Sequence, residues 1–415
     1  MFDPMFGALF WGKMFAVIGV WTHGIVAAIV MYDATHSTLM VALAGIAQFG
    51  PQLIFSPTSG KWADHGNPAR QILLGRVLCV AGSGSIALWL ALLRPASTDR
   101  VALPVLAGSV LVGIGFAVGG PAMLSIVPSL LRDGELSTAM ALDNLPMTVG
   151  RIAGPAVGAF LTAHFNPSAG FAAASGLHFV FVIFLVIVRF PRRTEQQSHT
   201  DRRVRAGLQY VRRDRVLLLA LLAVATVGFA SDSSITLTPS MAQQLSGGTR
   251  LVGALSAAFG IGAAVGMAFL AVLKGRLASV RVSLIGLWLL ATGALILATA
   301  PLSAMALSGF AVAGAGFGWA MTGLSTVVQE RTPDELRGRI MALWLVAFLG
   351  SRPVAAAVLG GITDLLNVRA AFVLVIALTW VVALLCRPAL LGVIATGDRS
   401  AAPAIGVEGP GRRGR

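Results

Sequence analysis

Long apolar stretches alternate with short polar ones along almost the whole chain. A helix needs about 20 mostly apolar residues to cross the hydrocarbon core of a bilayer. Twelve stretches reach roughly that length, at 10–30, 39–59, 71–93, 103–127, 137–162, 170–189, 216–238, 251–273, 280–299, 303–327, 339–361 and 369–387. The pattern therefore predicts an all-α membrane protein with twelve transmembrane helices, arranged as two six-helix bundles on either side of a polar gap.

The composition supports this class. Of the 415 residues, 56% are hydrophobic and 12% are charged, whereas soluble domains carry about 25% charged residues. These charged side chains are too few to cover a surface in contact with water, so we expect a lipid bilayer to surround the protein. The net charge of +14 would also suit a nucleic-acid-binding protein, but we expect no nucleic-acid partner because the basic residues mark loops between spans.

Lysine and arginine concentrate in one set of predicted loops. This set holds Lys61, Arg70, Arg76, Arg132, nine arginines from Arg189 to Arg215, Lys274, Arg276, Arg281, Arg331, Arg337 and Arg339. The other set holds Arg94, Arg100, Arg250 and Arg369. Because cytoplasmic loops carry the excess of basic residues, both termini are predicted to be cytoplasmic, in a multi-pass protein of the plasma membrane, most simply a bacterial inner membrane.

The same pattern divides the chain. We predict an N-terminal six-helix bundle at 1–190, a cytoplasmic arginine-rich linker at 191–215, a C-terminal six-helix bundle at 216–390 and a disordered cytoplasmic tail at 391–415. Within the linker, Val204 to Val216 has the pattern of an amphipathic helix that lies on the anionic inner leaflet.

The two halves share residues at a constant offset. At an offset of 201 residues, the second half repeats Gly115, Phe116, Met140 and Arg151 as Gly316, Phe317, Met341 and Arg352. At an offset of 211 residues, Arg70 and Gly75 match Arg281 and Gly286. Duplicated halves with a binding site between them are a known plan of membrane transport proteins.

One loop carries a recognisable motif. Gly60 permits close approach of helices, Asp64 follows four residues later, Gly66 permits a turn, and the basic Arg70 closes the segment. The segment resembles the signature loop of the major facilitator superfamily, in which such contacts form in one conformation and break in another. The alternative is an ordinary basic cytoplasmic turn.

The predicted fifth helix carries a second motif. Gly150, Gly154 and Gly158 recur every four residues beside Arg151 and Pro155, which gives one flat face for close helix packing. The segment resembles the glycine–proline motif of exporters in this superfamily, and export is what the resemblance implies. Segments 207–214 and 329–339 resemble the enterobactin-exporter and macrolide-efflux branch. In contrast to the drug/proton antiporters, the fourth predicted helix has no intramembrane basic residue.

Charged residues inside spans are costly and are therefore functional candidates. Arg151 and Arg352 occupy matching positions near the middle of the fifth and eleventh predicted helices. Either they face a central cavity and attract an anionic group of the substrate, or each pairs with a nearby carboxylate or helix end and braces its half.

Three further ionisable residues lie within spans, and a fourth, Asp33, lies near the outer end of the first. Asp143 is placed for an ion pair or an inner gate, and Asp232 lies in a serine-rich patch where a carboxylate is able to titrate during transport. His23 is a candidate proton relay or an interior hydrogen-bonded histidine. Asp33 fits a solvated helix cap better than a proton site.

Many aromatic and methionine residues lie in the spans. They include Trp21, Phe49, Phe55, Met147, Trp319, Met321, Trp344 and Phe348. Lining a cavity, they would suit a large and partly apolar ligand; facing outward, they would contact lipid. Cys79 and Cys386 both fall in apolar runs, so no disulfide framework is expected.

These observations predict a secondary active transporter that exports a small amphipathic compound, such as a drug, a macrolide or a siderophore, by alternating access. Protons are the expected coupling ion, the protein is expected to be a monomer, and no cofactor or metal is implied. No phosphate-binding Gly-x-x-x-x-Gly-Lys-Ser/Thr loop is present in the sequence, and no enzyme activity is expected. The alternatives are an importer of the same fold and a non-transporting scaffold or sensor.

Overall fold

The computed structural model describes residues 4–65, 67–93, 98–126, 136–188, 204–273 and 276–396. Within these ranges the chain is helical and has no strand. In chain order the helices are α1 (Pro4–Thr35), α2 (Thr38–His65), α3 (Pro68–Leu93), α4 (Thr98–Ile126), α5 (Leu136–His164), α6 (Pro167–Ile187), α7 (Val204–Arg213), α8 (Arg215–Thr236), α9 (Thr238–Gln244), α10 (Gly248–Leu273), α11 (Ser279–Thr299), α12 (Ser303–Glu330), α13 (Asp334–Leu365) and α14 (Val368–Thr396).

The twelve long helices correspond to the twelve predicted spans, and the all-α class is confirmed. Eleven are long and apolar enough to cross a membrane by length and composition. The remaining one is α5, whose 29 residues include Asp143 and Arg151. Protein neighbours cover α5 on two sides, because α1 and α10 pack against it. A helix enclosed in this way needs less apolar surface than one surrounded by lipid.

Close helix pairs inside each half follow the sequence repeat. A Cβ atom on Gly75 of α3 would lie 2.4 Å from the carbonyl oxygen of Gly115 on α4. A Cβ atom on Gly286 of α11 would lie 2.8 Å from the carbonyl oxygen of Gly316 on α12. The residues matched by the repeat thus make the same contact in both halves, which we call the first half (α1–α6) and the second half (α8–α14).

The halves meet along two helix pairs, α5 with α10 and α2 with α13. A Cβ atom on Gly253 of α10 would lie 2.2 Å from that of Ala159 on α5, and one on Gly360 of α13 would lie 2.9 Å from the Cα atom of Leu39 on α2. Both contacts lie towards the end of the molecule at which α1 ends and α2 begins, which we call the gate end.

The short helix α7 connects the halves. Tyr210 and Val211 are buried, whereas Arg212 and Arg213 on the same helix are exposed, as an amphipathic pattern requires. Burial raises the pKa of the Tyr210 hydroxyl, and the neighbouring carboxylate of Asp214 raises it further. That carboxylate caps α8 and also accepts a 2.8 Å hydrogen bond from Arg331 Nε, which fixes α7 to the second half.

Two expectations are corrected. Arg76, assigned to a loop, lies within α3 and is 1% exposed, with its guanidinium 4.8 Å from the Phe116 ring centroid. The predicted span 71–93 already contains this residue, and the cation–aromatic contact offsets part of the cost of its burial. Residues 391–396, assigned to the tail, continue α14, because the apolar sequence there sustains the helix. The remainder of the tail and linker residues 191–203 lie outside the described residues.

Candidate functional site

The two repeat-related arginines both lie beside the Trp21 ring where the halves face each other, and one of them, Arg352, pairs with a carboxylate. Nη2 of Arg352, on α13, lies 3.5 Å from Oδ1 of Asp232, on α8, and both side chains are less than 10% exposed, at 7% and 9%. The other carboxylate oxygen of Asp232 accepts a 2.6 Å hydrogen bond from the Thr236 hydroxyl. Arg352 is therefore paired by charge without a well-aligned hydrogen bond, because its Nε and Nη2 find no hydrogen-bond partner among the described residues.

Arg151 has a different environment. Its guanidinium carbon lies 5.0, 4.9 and 4.3 Å from the ring centroids of Trp21, Phe259 and Phe317. Its Nη2 atom is buried and lacks a hydrogen-bond partner within the described part of the chain. Aromatic faces stabilise a cation by their quadrupole but supply no neutralising charge, so Arg151 keeps an unsatisfied donor.

One indole ring, that of Trp21, contacts both cations. The guanidinium of Arg352 is 5.8 Å from the Trp21 centroid and 4.7 Å from that of Phe49. We call Arg151, Arg352, Asp232 and the rings of Trp21, Phe49, Phe259 and Phe317 the central group. It draws residues from α1, α2 and α5 of the first half and from α8, α10, α12 and α13 of the second, so relative movement of the halves must rearrange it.

The glycine–proline motif positions this group from the first half. The face of α5 with Gly150, Gly154 and Gly158 lies against α1, where added Cβ atoms would come within 2.6, 2.4 and 2.6 Å of side-chain carbons on Val17, Trp21 and Ile25. The carbonyl oxygen of Gly154 accepts a hydrogen bond from the Thr22 hydroxyl at 3.1 Å. Only glycine allows α1 to approach this closely, and the approach sets the Trp21 ring beside Arg151. Pro155 is buried in the same helix.

A glycine also positions Asp232 from the second half. A Cβ atom on Gly228, one turn before Asp232, would lie 2.3 Å from Ser351 Oγ and 2.5 Å from the Phe348 carbonyl oxygen. This contact brings α8 against α13 at the residue preceding Arg352. The sequence marks Asp232 as a candidate but not Gly228.

His23 lies outside the central group. Its Nδ1 and Nε2 atoms are 2.9 and 3.0 Å from the hydroxyl oxygens of Ser83 and Ser109, and its ring meets Phe171 edge-on at 5.2 Å. These neighbours all belong to the first half, where the imidazole joins α1 to α3 and α4. His23 therefore corresponds to the interior hydrogen-bonded histidine of the two alternatives.

Several candidates of the signature loop are not described. Gly66 lies outside the described residues, and the side chains of Asp64 and Lys61 are likewise outside them, although Gly60 and Asp64 lie in α2. Arg70 is exposed in the first turn of α3, where its backbone N–H donates to Asn67 Oδ1 at 3.2 Å. Asp143 lies in α5, and its side chain too is outside the described set.

The aromatic candidates divide into distinct environments. Trp21 and Phe49 belong to the central group, and Trp344 stacks on Phe348 at 6.0 Å between centroids. Trp319 is structural, because its indole N–H donates to the Gly266 carbonyl oxygen at 2.7 Å. The exposed side chains are Phe55 and Met147, and Met321 is partly buried against the core. Cys79 and Cys386 are free, buried thiols.

A carboxylate across the interface caps a helix at the gate end. Asp364, near the end of α13, accepts hydrogen bonds from the Ser37 hydroxyl at 2.6 Å and from the backbone N–H groups of Thr38 and Leu39 at 2.7 and 3.0 Å. The acceptor belongs to the second half and the donors to the first. An N-cap normally comes from the helix's own chain segment, so sequence reasoning missed it; its only signal is an acidic residue at a span end.

Two further contacts close the gate end. The Tyr32 hydroxyl donates to Gln243 Oε1, and Arg250 Nη2 lies 3.3 Å from His164 Nε2. Beside the first contact is a cavity of about 330 Å³ between α1, α9 and α10, and Asp33 and His36 are among its lining residues. Asp33 is exposed, in agreement with a position at a solvated helix end.

Comparison with known proteins identifies relatives along the whole chain. The family model described as transmembrane secretion effector matches residues 1–403. The enterobactin exporter of Escherichia coli O1:K1 (APEC) is 28% identical over 370 residues, which cover 86% of this chain and 85% of the relative. That of Shigella boydii serotype 18 (strain CDC 3083-94 / BS512) is 28% identical over 369 residues, with the same coverage.

Solved structures share the fold. An inward-facing, unoccupied bacterial homologue of the human lysosomal transporter Spinster superposes with a TM-score of 0.72 at 14% identity, covering 95% of this chain and 98% of that one. A bacterial homologue of the iron transporter ferroportin, also inward-facing, gives 0.70 at 14% identity, covering 94% and 99%. The architecture is that of the major facilitator fold, and the chain belongs to the transmembrane secretion effector family of that superfamily.

Proposed function

We propose that the protein is a secondary active transporter that exports a small amphipathic compound, such as a drug, a macrolide or a siderophore, from a bacterial cell. The observation that carries this proposal is the cluster at the Trp21 ring, where Arg151 and the ion pair of Arg352 with Asp232 lie between the halves. Buried charges at such an interface are costly, and a scaffold has no need of them. The enterobactin exporters among the relatives support the outward direction of transport, and they support a siderophore as one of the candidate substrates.

The arrangement of contacts supports alternating access. The hydrogen bonds described between the halves, made by Asp364, Tyr32 and Arg250, lie at the gate end. Breaking them while forming contacts at the opposite end would expose the central group to the other side of the membrane. We assign the gate end to the outside and both termini to the cytoplasm, because the described arginines Arg212, Arg213 and Arg331 lie at the opposite end. The protein then acts as a monomer whose described state is closed to the outside.

Asp232 is the best placed of the proton-coupling candidates. It faces Arg352 at 3.5 Å and accepts a hydrogen bond from Thr236. A proton on its carboxylate would cancel the charge that holds Arg352, and so would alter the contact between α8 and α13. His23 is enclosed by Ser83 and Ser109 and has no such connection to the second half.

The test is efflux from cells that express the protein, with anionic, neutral and cationic amphipathic fluorescent dyes, each with and without a protonophore. Loss of at least one dye above the empty-vector level, abolished by the protonophore, is the expected result. Arg151→Gln, Arg352→Gln and Asp232→Asn should each abolish this dye efflux, while Arg369→Gln, at an exposed position, should not.

Dye accumulation would indicate an importer, and no flux with verified expression would contradict broad export. Proton-driven efflux that survives loss of Asp232, Asp143 and His23 together would overturn the coupling assignment.

A further inference from the structure

We infer that the central group binds an organic anion that carries an aromatic ring, and that it disfavours cationic substrates. This inference rests on the proposed function and specifies the substrate class at the same site. It starts from the charges: two guanidinium groups, those of Arg151 and Arg352, lie beside the Trp21 ring, and the one carboxylate described in the central group, that of Asp232, faces Arg352. With all three groups ionised, the central group has a formal charge of +1.

The unbalanced charge belongs chiefly to Arg151. Asp232 is already engaged, with one oxygen facing Arg352 and the other accepting from Thr236. Arg151 has aromatic neighbours, and its buried Nη2 atom has no acceptor among the described residues. A buried charge is stable when it is both paired and hydrogen-bonded. A substrate anion at Arg151 would supply both, whereas a substrate cation would add like charge to the site.

The aromatic faces set the second requirement. Trp21, Phe259 and Phe317 lie within 5.0 Å of the Arg151 guanidinium carbon, and Phe49 lies 4.7 Å from that of Arg352. Phe49 and Phe317 are only partly buried, so part of each side chain remains available to a ligand that binds between the halves. Aromatic pairs gain energy beyond the area they bury, and an arginine also stacks on an aromatic ring. An aryl group joined to an acid therefore matches both components of the site.

The requirement for a negative charge excludes some of the amphipathic compounds that the proposed function allows. An amphipathic amine, protonated at neutral pH, would lie between two arginines with only an already paired carboxylate to balance it. Like charges at a few ångströms repel strongly in a region of low dielectric. The central group thus favours acidic aromatic compounds over basic ones of the same size.

The direct test is equilibrium binding to the purified full-length protein in lipid nanodiscs, measured by isothermal titration calorimetry. Four matched probes separate charge from aromaticity: naphthalene-2-carboxylate, naphthalene-2-methanol, naphthalene-2-methylammonium and decahydronaphthalene-2-carboxylate. We expect the aromatic acid to bind about tenfold or more tighter than the alcohol, because a charge-assisted hydrogen bond contributes roughly that much. The saturated acid should bind about threefold to thirtyfold more weakly than the aromatic acid. Tightest binding of the ammonium probe, or equal binding of all four, would overturn the inference.

Two variants separate binding from folding. Arg151→Gln should make the affinities for the aromatic acid and the aromatic alcohol about equal, because it removes a charge and keeps an amide donor. The affinity for the alcohol itself should stay the same. Arg369→Gln should retain the full preference. Equal weakening of all four probes in Arg151→Gln, with an unchanged elution profile, would assign Arg151 a structural role and overturn the inference.

Transport by proteoliposomes distinguishes this inference from the proposed function. Selective binding of the aromatic acid without any flux would retain the substrate class and refute export. Export of dyes without charge preference, together with unselective probe binding, would retain export and refute the substrate class.

Discussion

Arg352 on α13 and Asp232 on α8 form a buried ion pair, with Nη2 and Oδ1 3.5 Å apart. The pair lies within the second half, yet Arg352 also reaches over the Trp21 ring of the first half at 5.8 Å. Movement between the halves would therefore change the surroundings of the ion pair. Its strength depends on whether both partners keep their charge.

The first prediction concerns the stability of this pair. Removing one member of a buried ion pair leaves an uncompensated charge and typically costs about 3–5 kcal/mol. Asp232→Asn and Arg352→Gln should each lower the apparent unfolding temperature in detergent, and the double variant should lose clearly less than the sum of the two. Arg369→Gln is the control. Strictly additive losses would show that the two side chains do not interact.

A second prediction concerns the close packing of α5 on α1. Gly154→Leu should abolish efflux, because its Cβ atom would lie 2.4 Å from Trp21 Cβ and 2.9 Å from the Ile18 carbonyl oxygen. The helices would separate, and Trp21 would move from Arg151. The matched control is Gly176→Leu in α6, where nothing lies within 4 Å of an added Cβ atom. Dye efflux, normalised to the amount of protein in the membrane, is the measurement; equal activity of the two variants would contradict the role of the glycine face.

A third prediction concerns the cap that Asp364 places on α2. Asp364→Ala removes every acceptor of the cap. Replacing an N-cap residue by alanine costs about 0.5–2 kcal/mol, so the equilibrium should shift about 2–30-fold towards a state open at the gate end. Labelling of a Tyr32→Cys reporter by a membrane-impermeant thiol reagent should become faster by a similar factor than in the protein that carries Tyr32→Cys alone. Because Cys79 and Cys386 are buried, Asp364→Ala without the reporter gives the background rate, and unchanged labelling would refute the gate.

A fourth prediction uses the contact between His164 and Arg250, whose ring and guanidinium nitrogens are 3.3 Å apart. Cysteines at both positions should be joined by a short bis-methanethiosulfonate cross-linker, which spans the gap left by the two longer side chains, and the cross-link should stop efflux because the halves could no longer separate at the gate end. A reducing agent should restore transport. Each single cysteine variant serves as the control, and efflux that continues in the cross-linked protein would argue against rocking of the halves at this end.

The periodic apolar pattern predicted most of the fold. Span edges agree within a few residues for helices such as α3 and α11, because the polar segments that end them also meet water. The repeat placed Arg151 and Arg352 at matching positions, and the structure brings both to the Trp21 ring. The related helices α5 and α13 each pack against the opposite half, as symmetry requires, so this part of the site could be anticipated.

Contacts between distant segments could not be anticipated in the same way. Asp364 caps a helix that begins 326 residues earlier in the chain, and no local pattern encodes that partnership. Arg76 has the charge of a loop residue, but Phe116 on the next helix shelters it. In both residues a side chain contacts a surface that exists only after the helices have packed.

The formal charge of the central group also makes the protein sensitive to voltage. When the gate end is closed, the group shares the electrical potential of the cytoplasm; when the other end closes, it takes the potential outside. Moving one elementary charge through 100 mV changes the free energy by about 2.3 kcal/mol. In a cell with a negative interior, the membrane potential therefore favours the state of the empty carrier that faces the cytoplasm. A bound monoanion cancels the charge, so the loaded carrier no longer has this preference. In an exporter, the membrane potential would then return the carrier to the side on which it loads its substrate.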